Sequence, residues 1–278
     1  MVFFAFDFDE TLTQNDTLDL IIKCTKEVDL NSLIWKRLSQ RYCNLVTFSK
    51  AEYFKNHKNP SLEDYCEFCR VNEMDSIENI IESKCYDEIT KDSLFNIGKT
   101  EVKFHNEVPE FLSKLIEEKI PVNIISANFS NDIIKGALSN IKNSEEINIY
   151  SNDLEFNENN ISNGNIITNY IVASDKLKLF NNLSKDINNN ETIYIGDGLT
   201  DILCMLNATV GIVFSPGKSF IQDCKEFNIL LKPLSTWTEE DLKLEDEDEN
   251  EERTKLLFFT LNWNDIISWW NNNKKVFL

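Results

Sequence analysis

The sharpest chemical feature of the chain is a pair of aspartates two residues apart at the end of an apolar run. Val2-Phe3-Phe4-Ala5-Phe6 leads into Asp7-Phe8-Asp9-Glu10-Thr11-Leu12-Thr13. In an extended strand, side chains i and i+2 share a face, so Asp7 and Asp9 project together. Two such acids repel each other unless a cation or a shared proton intervenes. One can then be an ionised nucleophile bound to a hard cation while the other shuttles a proton. A plain turn, where aspartate is frequent, is the alternative. The stretch from Thr192 to Asp201, Thr-Ile-Tyr-Ile-Gly-Asp-Gly-Leu-Thr-Asp, repeats the design. An apolar strand delivers Asp197 between two glycines that let the backbone approach a metal or phosphate closely. Asp201 follows in the first turn of the next helix; a turn and an N-capped helix would read the same way.

Two weaker features complete the set. Ser126 ends the apolar run Val122-Asn123-Ile124-Ile125, shortly before a helix start. A hydroxyl and backbone amides at a helix N-terminus form a phosphate seat. Lys176 opens a helix in Ser174-Asp175-Lys176-Leu177-Lys178-Leu179, with Lys178 as a competitor for any cationic role.

The elements that must position these residues alternate. Strands are expected at 2–8, 122–125, 147–150, 192–195, 210–214 and 256–259. Helices are expected at 107–118, 130–140, 174–184 and 200–206, and a last one capped by Asn262 carries Trp263, Ile266, Ile267 and Trp270 as a packing stripe. Residues 154–168 resemble a hairpin turning at Asn163-Gly164. This predicts an α/β fold, a doubly wound, mostly parallel sheet, with ligands beyond the C-terminal strand ends. Residues 15–104 differ: charged and aromatic side chains recur at helical spacing, and glycine is absent until Gly98. They read as an inserted all-helical domain, leaving 1–14 and 105–278 as the core. Residues 239–252, ending Glu-Asp-Glu-Asp-Glu-Asn-Glu-Glu, read as a solvated loop within that core, and Asn188-Asn189-Asn190 as a short loop.

A net charge of −19 disfavours nucleic acid and anionic membranes as partners. No apolar run is long enough for a membrane span, and the N-terminus lacks the basic region of a signal peptide. Seven scattered cysteines suggest reduced thiols and a cytoplasmic or nuclear location. Cys66 and Cys69 lack a second ligand pair for zinc.

In order and type, the four features resemble the motifs of the haloacid-dehalogenase-like phosphatase superfamily, over nearly the whole chain. The helical insert is similar to the cap of its phosphoserine-phosphatase-like branch. Tyr194 to Leu206, Val210-Gly211-Ile212-Val213 and Trp263-Asn264-Asp265-Ile266 are similar to a eukaryotic group containing thiamine-monophosphate phosphatases and stand-alone fungal hydrolases.

The resemblance implies a phosphomonoesterase of a small phosphorylated metabolite, with thiamine monophosphate a candidate. By it, Asp7 attacks phosphorus and Asp9 is general acid and base. Mg²⁺ is held by Asp7, Asp197 and the backbone carbonyl of Asp9, with Asp201 steadying the site. Ser126, Ala127 and Asn128 hold phosphoryl oxygens, and Lys176 offsets charge. Carbon–halogen hydrolysis is disfavoured, because it uses no acid at position 9. A catalytically silent binding protein on the same fold is the alternative. Glu10 stands where many relatives have glycine and is expected to point away from the site. Ala127-Asn128 stand where relatives often have glycine, implying a tighter phosphate seat. Asp16 is placed either to meet a cationic part of a substrate or to cap a helix.

Overall fold

The computed structural model describes residues 2–185, 191–245 and 255–278. Asn188-Asn189-Asn190 and residues 246–252 of the acidic stretch lie outside them. The start of that stretch, Glu239–Glu245, is a 3-10 segment, not an open loop.

The first strand, β1 (Val2–Phe6), is buried along its whole length. The insert follows as α1 (Leu18–Ile22), α2 (Val28–Asn56), α3 (Leu62–Ser83), β2 (Asp87–Thr90) and α4 (Lys91–Glu101). Then come α5 (Val108–Glu117), β3 (Val122–Ile125), α6 (Asn131–Leu138), β4 (Asn148–Tyr150), β5 (Asp153–Phe156) and β6 (Ile161–Ile167). The rest is α7 (Ala173–Lys185), β7 (Glu191–Gly196), α8 (Ile202–Asn207), β8 (Val210–Phe214), α9 (Lys218–Glu226), β9 (Leu230–Pro233), β10 (Leu256–Thr260) and α10 (Trp263–Phe277).

Seven strands form one sheet in the order β4-β3-β1-β7-β8-β10-β9, and every pairing in it is parallel. Side-chain alternation sends Val2, Phe4 and Phe6 to a core shared with α5, α6 and α10. Phe3 and Ala5 go to the opposite core, shared with α7, α8 and α9. Burial on both faces explains why β1 is an unbroken apolar run instead of an alternating one. The chain moves outward from β1 to β3 and β4, then crosses to β7 on the other side, so the ends of β1 and β7 border a topological switch point where ligands bind in open α/β sheets.

Two local expectations are corrected. The β5–β6 hairpin turns at Asn157–Asn160, where the Asn157 side chain accepts from the amides of Asn159 and Ile161. Asn163-Gly164 instead lies inside β6, opposite Asp87 of β2. Gly164 has φ +80°, and a Cβ there would meet Asp87 Oδ1 at 2.0 Å, so the glycine serves this crossing and not a turn. The second correction is β2 itself: the insert is helical except for this strand, which pairs antiparallel with β6. Elements α9 and β9 were not anticipated either.

The insert's last helix is anchored to the core by two glycines. A Cβ on Gly98 of α4 would meet the Ile133 carbonyl at 2.2 Å, and one on Gly136 of α6 would meet the Phe95 carbonyl at 2.0 Å. The rest of the insert leans over the α7–α9 side. Phe54 and Tyr65 place their rings 5.8 and 5.4 Å from Phe227, and Lys50 bonds Asp223 at 2.6 Å. Among the described residues no helix is long and apolar enough to cross a membrane.

Candidate active site

Asp7 emerges where β1 ends, its amide donating to the Ile195 carbonyl of β7 at 2.9 Å. That bond aligns the ends of the two strands and brings Asp7 beside Asp197 and Asp201. Carboxylate oxygens of the three lie within 4.8 Å of one another. Lys176, fully buried, bridges two of them, with Nζ 2.7 Å from Asp7 Oδ1 and 2.8 Å from Asp201 Oδ1. Lys178 is exposed. The competition left open by the sequence is therefore decided by the phase of α7.

Each acid is held from behind. Tyr194 donates its hydroxyl to Asp201 Oδ1 at 2.8 Å, and the Gly198 amide meets Asp201 Oδ2 at 3.4 Å. Thr11 donates to Asp197 Oδ1 at 3.3 Å. A Cβ on Gly196 would come within 2.6 Å of the Asp201 side chain, so this glycine is required by packing. Gly198, by contrast, has open space where a Cβ would be, so packing does not require glycine there.

Asp9 turns its carboxylate the other way. Its Oδ1 accepts from the Thr17 amide at 2.8 Å and the Thr17 hydroxyl at 2.6 Å, and its Oδ2 accepts from Asn128 Nδ2 at 2.8 Å. Asn128 is thus committed to Asp9, and its own amide donates to Ser126 Oγ at 3.0 Å. Ser126 sits at the end of β3, 1% exposed, and Ala127 faces the cleft.

Charge balance decides what the cluster can hold. Burial raises the Asp7 carboxyl well above the usual aspartate range; Asp201 adds to the shift, and Lys176 offsets it only in part. Asp197 is pushed to about 7, by burial first and Asp201 second. Asp9 is raised by burial, which Asn128 and Thr17 counter through their hydrogen bonds. Burial works against a charged Lys176, yet Asp201 and Asp7 overcome it and raise its pKa. With all three carboxylates ionised, one ammonium leaves two negative charges uncompensated, a state that burial opposes and that one divalent cation with hard oxygen donors would balance.

Several supporting residues escaped the sequence reading. Thr17, Tyr194 and Thr11 are among them; the readable signal was a tyrosine inside an apolar strand, which needs a hydroxyl partner once buried. Trp263, read as packing, also donates from Nε1 to the Thr11 carbonyl at 3.1 Å and so ties α10 to the loop after β1. Asn152 bonds the carbonyls of Ala127 and Tyr170 and accepts from the amides of Asn169 and Tyr170, clamping two cleft loops together. Glu10 contradicts its expectation: it is exposed and lines the cleft. Its φ of 56° explains why glycine suits this position.

Between insert and core lie two cavities of about 440 and 480 Å³ that share Asp16, Tyr42, Glu73, Ile171 and Thr200 as walls. The first carries Trp35, Tyr42, Phe129 and Tyr170 with Asp16, Asp19 and Glu73, and, among the described residues, no lysine or arginine. The second has one cation, Lys50, which is paired with Asp223. Asp16 also accepts from the Leu18 amide at 2.7 Å, so it makes a local turn while facing both cavities.

A family model described as haloacid dehalogenase-like hydrolase matches residues 4–206. The bifunctional TH2 protein, mitochondrial, of Arabidopsis thaliana is 24% identical over 214 residues, covering 72% of this chain and 34% of that protein. The chain therefore spans about a third of that curated relative. Among solved structures, a phosphoserine phosphohydrolase-like protein from Francisella tularensis superposes with a TM-score of 0.55 at 19% identity, covering 96% of this chain and 99% of that one. A phospho-aspartyl intermediate analogue of phosphoserine phosphatase superposes with a TM-score of 0.53 at 15% identity, covering 96% and 97%. At these identities the likeness is one of fold.

Proposed function

We propose, from the premise that the chain belongs to the haloacid dehalogenase-like hydrolase family, that it is a phosphomonoesterase working through an aspartyl-phosphate on Asp7. The observation that carries this reading is the buried cluster of Asp7, Asp197 and Asp201 bridged by Lys176. Asp7, Asp197 and the Asp9 backbone carbonyl would hold a divalent cation, with Asp201 in support. When bound, Mg²⁺ supplies positive charge to the phosphoryl oxygens and suits a site of few carboxylates.

The chain's own residues would do the rest. An Asp7 oxygen forms a bond to phosphorus as the bond to the leaving oxygen breaks. Asp9, whose pKa burial raises, gives a proton to the departing alkoxide. It then takes a proton from the water that attacks the acyl-phosphate, freeing phosphate and Asp7. Lys176 fixes the orientation of Asp7 and reduces repulsion between carboxylate and phosphate dianion. Ser126 and the Ala127 amide would seat phosphoryl oxygens. Asn128 contributes by holding Asp9, a role that replaces its expected phosphate contact. Residues 15–104 would act as the cap that closes over the core formed by 1–14 and 105–278.

For substrate we place thiamine monophosphate first among small phosphate esters. Its ring bears a permanent positive charge, and the cleft offers Trp35, Tyr42, Phe129 and Tyr170 with Asp16 and Glu73. Phosphoserine fits less well, because its carboxylate would find no unpaired lysine or arginine among the described residues of these walls. For location we keep the cytoplasm or nucleus, supported by the odd, scattered set of cysteines.

Hydrolysis of p-nitrophenyl phosphate with and without Mg²⁺, then of thiamine monophosphate and phosphoserine, tests the reading. Magnesium-dependent turnover with thiamine monophosphate preferred over phosphoserine is the expected result. Silence across a broad panel of phosphorylated metabolites would overturn the enzymatic reading.

A further inference from the structure

Lys176 reaches the catalytic acids from the first turn of α7, so whatever fixes that turn also fixes Lys176. The turn is held by Asp175. Its Oδ2 accepts from the amides of Ile171 and Val172 at 3.0 and 3.1 Å. The Asp175 and Lys176 amides donate back to the Val172 carbonyl. This is one half of a capping box, an acid at the third helical position reaching back to the amide before the helix, beside the first backbone bonds of the helix itself.

The same carboxylate is gripped from the insert. Arg70 of α3 donates from Nη1 to Asp175 Oδ2 and from Nη2 to Oδ1, each at 2.9 Å. Arg70 is itself oriented by Glu67 on its own helix, and Ser174 donates to Glu67 Oε2 at 2.9 Å. The guanidinium fork therefore binds a carboxylate whose neighbour in sequence is the catalytic lysine. A planar two-point fork sets direction as well as distance, which a single ammonium does not. By contrast, a second ionic link between insert and core, Lys50 to Asp223, ends on α9 and does not meet Asp175 or Lys176.

We infer that Arg70 is a positioning residue that couples docking of the insert to the placement of Lys176, through Asp175 and the first turn of α7. The inference rests on the phosphatase reading for its catalytic consequence. Full activity then requires the insert to be seated, which withholds the aligned lysine from an open site exposed to water.

The test compares Arg70→Met, Arg70→Lys, Asp175→Asn and Lys50→Met with the wild-type chain by two measurements. The first is amide hydrogen exchange over residues 173–177, which does not depend on turnover. Arg70→Met is expected to speed exchange there by about tenfold, and Lys50→Met to leave that segment close to wild type. The second is steady-state hydrolysis of p-nitrophenyl phosphate with Mg²⁺. Arg70→Met is expected to lower kcat by about tenfold with KM changed by less than about twofold. Arg70→Lys should recover part of that loss, and the Arg70→Met/Asp175→Asn double variant should be no slower than Asp175→Asn alone. Unchanged exchange over 173–177 in Arg70→Met overturns the inference. So does exchange over 173–177 speeded as much in Lys50→Met as in Arg70→Met, which would show that any loosening of the insert suffices. A wild-type chain without magnesium-dependent turnover would refute the phosphatase reading alone, while the exchange result would still decide the coupling.

Discussion

The strand-end cluster and the cleft above it handle charge in opposite ways. At the strand ends, Asp7 and Asp201 share one buried lysine, and every acid has a hydroxyl, amide or ammonium behind it. In the cleft, Asp16 and Glu73 face aromatic walls with no cation opposite among the described residues; Glu73 is pushed to about 6 by burial, against the hydrogen bond from Tyr42. On the proposed reading, the first region takes the metal and the phosphoryl group, and the second takes the cationic ring. That reading builds chemistry from groups at adjacent strand ends and selectivity from the helices and loops of the insert and the core.

Breaking the strand-end region should have the largest effect. Lys176→Met removes the lone cation from three acids, and breaking a buried pair of this kind destabilises by about 3–5 kcal/mol. Urea denaturation should report that loss, and any folded fraction should show kcat lowered by at least ~10³-fold. A substitution in the cleft should leave the chemistry and alter the choice. Glu73→Gln is expected to lower the kcat/KM ratio of thiamine monophosphate to p-nitrophenyl phosphate by about tenfold. An unchanged ratio would break the proposed contrast.

Metal removal sharpens the comparison through pH. Asp197, raised from 3.8 to about 7, binds its proton more tightly folded than unfolded. Its contribution to metal-free stability is present below the unfolded value and is lost as pH rises through that window. Thermal melts in chelator should therefore fall between about pH 4 and pH 7, with the gain from added Mg²⁺ larger at the upper end. The smallest effect is expected at the boundary of the two regions. Glu10 is held at φ 56°, so Glu10→Gly should stabilise by roughly 0.5–1 kcal/mol after the entropy cost of glycine, read as a small rise in Tm.

What was legible in the sequence follows the same division. Asp7, Asp197 and Ser126 could be placed because each ends an apolar run, a purely local pattern that survives folding. The choice between Lys176 and Lys178 could not, since it depends on which side of α7 meets β1, about 170 residues earlier in the chain. β2 was missed because its partner β6 lies some 70 residues away and four residues carry little pattern of their own. Strand β9 shows only exposed and half-buried positions along the sheet edge, so it lacked the alternation that marks a strand. Asn163-Gly164 misled because glycine suits a close crossing as well as a turn. Glu10 was judged by its bulk, when its backbone angle was the relevant property. The Arg70–Asp175 fork joins two helices about 100 residues apart and leaves no local trace.

The central claim is that Asp7 carries the phosphoryl group. Rapid acid quench of the wild-type chain turning over p-nitrophenyl phosphate with Mg²⁺, followed by peptide mass mapping, tests it directly. One phosphoryl group on the peptide containing Asp7, absent in Asp7→Asn together with turnover, is the result this account predicts. A phosphoryl group on another residue, or turnover undiminished in Asp7→Asn, would contradict it.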